Sequence, residues 1–115
     1  MKTFLLIYNS PAEALETLSD ASEEEKVEGM RVWQAWEEKM GDNLLDMGSP
    51  LMPVWQMKGD GREDPLNNEA GGYSIIQAKD LAHARALLKG HPHLEWTDNS
   101  YIQLFEISSM NQAPE

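Results

Sequence analysis

The sequence predicts a small α+β domain with a ferredoxin-like βαββαβ order and an antiparallel sheet. Three observations carry that expectation. An apolar run, KTFLLIYN, opens the chain as a strand. A long amphipathic stretch from Glu23 to Met40 follows it. Residues 71–96, GGYSIIQAKDLAHARALLKGHPHLEW, then spell a strand, a capped helix, a helix stop and a turn.

The first strand covers residues 3–9, where Phe4, Leu5, Leu6, Ile7 and Tyr8 run almost without polar interruption. Such a run marks a strand that is central in its sheet or covered on both faces. Ser10-Pro11 breaks it, and Pro11 suits the start of a short helical turn through Leu18. Ser22 and Glu25 then form a capping-box pair. Glu23 and Glu24 complement the positive end of the helix dipole. Val27, Met30, Trp33, Trp36 and Met40 recur every three or four residues and make one apolar stripe. Gly29 lowers helix propensity by about 1 kcal/mol against Ala, and close approach of another backbone would account for it. Gly41 ends the helix as a left-handed residue.

Leu44–Met47 reads as a short strand stopped by Gly48-Ser49-Pro50, and Val54–Lys58 as a second one. Residues 59–70, GDGREDPLNNEA, carry no period and read as a long loop. Tyr73–Ala78 is the next strand. Asp80 caps the helix Leu81–Lys89, Gly90 ends it, and Pro92 forbids its continuation. His91–Trp96 is a turn or a short 3₁₀ piece, and Tyr101–Ile107 the last strand. The order becomes βαββαβ when the two short middle strands pair as a hairpin arm. The domain spans residues 1–108, with a flexible tail at 109–115. Two helices cannot cover both faces of such a sheet, so one face needs a partner. A second copy of the chain is the simplest one.

The totals narrow the function. At 115 residues and 13.0 kDa, one domain is expected. A net charge of −11 repels phosphate backbones and acidic lipid, so neither nucleic acid nor a membrane surface is expected as a partner. No apolar run approaches the roughly 20 residues that span a bilayer, nor the length of a secretory signal. With no cysteine there is no disulfide and no thiolate chemistry, which fits a reducing cytoplasm.

The candidate residues are few. His91-Pro-His93 has the spacing of a ligand pair, but the intervening Pro and the lack of thiols do not predict a tetrahedral site, so no metal is expected. His91, just past a helix end, can bond the free carbonyls there or carry a proton. His83, among charged neighbours, is expected in solvent. Asp46 interrupts the apolar strand LLDMG. It either faces solvent or enters a cleft, where it and His91 would form a conceivable general acid/base pair. Tyr8, Trp33, Trp36 and Tyr73 are either core or the lining of a pocket between sheet and helix. Gly59-Asp-Gly61 lacks the context of a phosphate loop, and no nucleophile elbow appears.

KTFLLIYN, the LLDMGSPL step and GGYSIIQA running into DLAHARALLKGHP resemble, in order and spacing, the YCII-related domains and their DGPF-type branch. The resemblance covers residues 2–107. It implies a homodimeric α+β barrel in which two ferredoxin-like sheets pack face to face, in a bacterial cytoplasmic protein. Two features depart from it. GREDPLNNEAGGY lacks the DGPF motif. Trp33 stands where some relatives place a His on the first helix, so their proposed acid–base dyad does not carry over. The expected function is binding of a small organic molecule in an apolar cleft beside the sheet, without a cofactor. The alternatives are a cofactor-independent enzyme acting through His91 and Asp46 on a small organic acid or aromatic compound, and a structural or regulatory dimer.

Overall fold

The computed structural model describes residues 1–11, 22–66, 68–96 and 99–108. The turn expected through Leu18 and the tail at 109–115 lie outside the described residues. Four strands form the main sheet: β1 (Lys2–Asn9), β2 (Leu44–Asp46), β5 (Ala70–Ala78) and β6 (Tyr101–Ile107). Their spatial order is β2-β5-β1-β6 and every pairing is antiparallel. With α1 (Glu23–Met40) between β1 and β2, and α2 (Leu81–Leu87) and α3 (Pro92–Trp96) between β5 and β6, this is the ferredoxin-like βαββαβ arrangement.

The arm between β2 and β5 differs from expectation: the two short middle strands do not pair with each other, because β2 joins β5 in the main sheet. The stretch read as a loop holds a further strand, β4 (Glu63–Pro65), which pairs with β3 (Trp55–Met57) in a separate two-stranded ribbon. Its tip is closed by backbone bonds between Lys58 and both Gly61 and Arg62, and Asp60 accepts from the Arg62 N–H at 3.0 Å. EDP carries two charges and a proline, so no apolar alternation marked it. Backbone pairing with β3 alone makes it a strand. The ribbon leaves Met52, Val54, Trp55 and Met57 exposed.

The helix ends follow the sequence closely. Ser22 accepts from the Glu25 N–H at 3.1 Å, and Asp80 from the His83 N–H at 2.8 Å. His83, expected in solvent, turns back and accepts the Lys79 N–H at 3.0 Å. Gly41 has a positive φ of 53°, but its ψ of −126° lies outside the left-handed helical region, and the chain enters a 3₁₀ turn. His91–Trp96 is not a 3₁₀ piece. Pro92 opens α3, where its missing N–H and fixed φ are tolerated.

The core lies between one sheet face and the helices. Phe4, Leu6 and Tyr8 alternate inward from β1, and Ser74, Ile76 and Ala78 from β5. Trp36 and Met40 of α1 and Ala84 of α2 cover them. The register puts Leu5, Ile7, Tyr73 and Ile75 on the opposite face, with Phe105 and Ile107 of β6. No element among the described residues covers that face, and Phe105 is half exposed. No helix among the described residues is long and apolar enough to cross a membrane.

Candidate functional site

The stripe on α1 packs unequally. Trp36 and Met40 are buried and Trp33 is partly buried, while Val27 and Met30 remain exposed. The C-terminal half of the helix seats on the sheet. The N-terminal half instead walls a cleft of about 730 Å³ with Glu25, Gly29, Val32 and Trp33. The other wall is Tyr8 and Ser10 at the end of β1, with Gly71 and Gly72 on β5. Met47–Pro50 and the α3 residues Pro92, His93 and Glu95 complete it. This volume suits a small organic ligand.

Two glycines shape the floor by close approach. A Cβ on Gly48 would lie 1.7 Å from the Tyr73 carbonyl oxygen, and its φ of 80° disfavours any side chain. A Cβ on Gly72 would lie 3.3 Å from the Tyr8 ring. The Met47–Pro50 segment can therefore lie along β5, where Ser49 accepts from the Tyr73 N–H and Leu51 donates to the Gly71 carbonyl. Gly29 differs. Among the described residues a Cβ there would meet nothing within 4 Å, and none of their backbone makes the expected close approach. The space it leaves belongs to the cleft.

Behind the cleft lies a directed hydrogen-bond chain. The His91 ring is fully buried. Its Nδ1 accepts the His93 backbone N–H at 3.0 Å, which places the ring proton of the neutral form on Nε2. Nε2 then donates to the Tyr8 hydroxyl at 3.2 Å, Tyr8 to Ser74 at 2.6 Å, and Ser74 to the Met47 carbonyl at 2.7 Å. Burial, with a smaller contribution from His93, lowers the His91 pKa to about 3. Burial raises the Tyr8 pKa to about 12 despite the Ser74 bond. His93 is also held neutral by burial, and its Nε2 donates to the Asn9 carbonyl at 2.8 Å. Rings close around His91: Trp36 at 4.3 Å, Trp33 at 4.9 Å and Tyr8 at 5.1 Å between centroids.

These placements sort the sequence candidates. Tyr8 and Trp33 line the cleft, in edge-to-face contact at 5.2 Å. Tyr73 borders it, although its strand position puts its side chain on the opposite sheet face beside Ile7. Trp36 sits behind the lining, 3% exposed, and its indole N–H has no hydrogen-bond acceptor among the described residues. His91 also lies behind the lining. Its ring does not cap the preceding helix. It accepts from the first turn of α3, because the inward turn at Gly90 aims it at Tyr8. Asp46 is exposed and accepts the Gly48 N–H at 2.8 Å, shaping the turn after β2. No hydrogen bond joins Asp46 to His91, whose two ring nitrogens are engaged elsewhere. Among the described residues, no three His, Asp or Glu side chains converge as a metal site requires.

Sequence reasoning weighed His93 only as half of a ligand pair with His91, and it missed Ser74, Glu25 and Glu95. Ser74 had a signal: it is the polar residue at an inward position of GGYSII. The others had none, because their places depend on how α1 and α3 meet the strand ends.

A search of family models and a search of characterised proteins each return no match. Among solved structures, the chain resembles 5-chloro-2-hydroxyhydroquinone dehydrochlorinase (TftG) from Burkholderia phenoliruptrix AC1100, solved in complex with 2,5-dihydroxybenzoquinone. The match has a TM-score of 0.50 and 10% identity, and covers 90% of this chain and 91% of that one. The two share a fold, the ferredoxin-like α+β arrangement.

Proposed function

We propose that this protein binds a small, largely apolar aromatic molecule in the cleft between α1 and the ends of β1 and β5. The observation that carries this reading is Gly29. A glycine inside a long helix lowers its stability by about 1 kcal/mol against Ala, and no neighbour among the described residues requires it. The room it leaves opens into a cleft walled by Trp33 and Tyr8. The fold neighbour was solved with a single-ring ligand, 2,5-dihydroxybenzoquinone, which supports a ligand of that size. The placement of His91 and Asp46 outside the lining supports binding over acid–base chemistry by that pair. The motif order also supports a place among the YCII-related domains, and the lack of cysteine supports a cytoplasmic home.

Trp33 reports on the cleft. Titration with small phenols and quinones is expected to change the tryptophan fluorescence and raise the melting temperature. Trp33→Ala is expected to weaken that binding by about 10-fold or more, since an aromatic contact contributes roughly 1 kcal/mol beyond its buried area. Affinities unchanged by Trp33→Ala would place the ligand elsewhere.

A second copy of the chain is the proposed cover for the open sheet face bearing Leu5, Ile7, Ile75 and Phe105. Light scattering at micromolar concentration should give twice the 13.0 kDa chain mass. The mass of one chain would refute the dimer.

A further inference from the structure

We infer that the cleft selects an organic cation, an aromatic or alkyl ammonium compound, over a neutral or anionic one. This rests on the binding role proposed above and adds the sign of the ligand's charge. The lining carries two carboxylates from opposite sides, Glu25 on the first turn of α1 and Glu95 on α3. Neither is in an ion pair among the described residues. The chain has nine Lys and Arg residues, all of them among the described residues, and none lines the cleft. Lys2, Arg31 and Arg62 are paired with Glu106, Glu28 and Asp60, and Lys39 reaches the Lys89 carbonyl.

The remaining polar side chains on the cleft side of the lining, Tyr8, Ser10, Ser49 and His93, add no cation to meet an anion. The Tyr8 hydroxyl is spent on Ser74, and the His93 Nε2 proton on the Asn9 carbonyl. The aromatic walls point the same way, since the negative face of an indole attracts a cation and repels an anion. A chain of net charge −11 adds a field of the same sign. A carboxylate or phosphate would lose its hydration here without gaining a cationic partner.

The test compares three probes of one shape on the intact protein at low salt and slightly alkaline pH: phenyltrimethylammonium, uncharged N,N-dimethylaniline and benzoate. Calorimetry should show the ammonium binding about 10-fold more tightly than the amine, and benzoate more weakly than both. Glu25→Gln with Glu95→Gln should reduce the ammonium's preference over the amine to about twofold. Gln at position 25 keeps the capping-box pattern with Ser22, so the helix start survives. An amine or benzoate that binds as tightly as the ammonium overturns the charge selection and leaves the binding role standing. If none of the three binds while a phenol or quinone does, this inference falls and the binding role stands; if neither set binds, both fall.

Discussion

Gly29→Leu is expected to weaken ligand binding strongly while making the folded protein slightly more stable. Leucine exceeds glycine in helix propensity by roughly 0.5–1 kcal/mol, and the site lies inside α1, away from its ends. No atom of the described residues lies within 4 Å of the new Cβ, so their backbone need not shift. The isobutyl group would then project into the cleft against Trp33 and Val32. Affinity for small aromatic compounds should fall about 100-fold, the scale on which a blocked pocket loses its packing contacts. Opposite signs for stability and binding separate a ligand site from a structural one, because core damage lowers both. Unchanged affinity in a well-folded Gly29→Leu protein would refute the cleft as the site.

His91→Gln is expected to destabilise the protein by about 2–4 kcal/mol at neutral pH, and by progressively less as the pH falls. At neutral pH the variant loses ring packing against Trp33, Trp36 and Tyr8 and disturbs the chain to Ser74. In the unfolded chain His91 takes up a proton near its ordinary 6.5, whereas in the folded protein it does so only near 3. Between those values the unfolded chain holds more protons, so falling pH favours unfolding. The contribution of the neutral imidazole is complete above 6.5 and is lost at about 1.4 kcal/mol per pH unit down to about 3. His93, lowered in the same direction, adds to the acid sensitivity. Tyr8 acts at the other extreme, its contribution lost as pH rises from 10 towards 12. Denaturant unfolding of both proteins at several pH values between neutrality and mildly acidic checks this. Parallel stability curves would show that His91 is not held neutral by burial.

Local rules carried most of the fold. The β1 strand was legible because its apolar run has no competing helical period. The α1 boundaries were legible because Ser22, Glu25 and Gly41 mark both ends with backbone chemistry that acts within one turn. Asp80 was legible for the same reason, although the helix it caps stops at Leu87, with Leu88 rather than Gly90 at its C-cap. β4 was not, since EDP becomes a strand only by pairing with β3. The site was legible in part. Tyr8 and Trp33 reach the cleft, but the helical period that grouped Trp33 with Val27, Met30, Trp36 and Met40 cannot say where along the stripe the helix leaves the sheet.

The sequence by itself determined the βαββαβ order, the capped helix ends and the alternation that sends Phe4, Leu6 and Tyr8 to one face of β1. These depend on contacts a few residues apart, which composition and spacing encode. The tertiary structure alone decided that His91 turns inward to Tyr8, that Asp46 stays in solvent, and that Glu25 and Glu95 share one cleft. Tyr8 and His91 are 83 residues apart in the chain, and their meeting follows from where α3 docks against the end of β1. Docking of that kind is set by packing shape and buried hydrogen bonds, which no local pattern records.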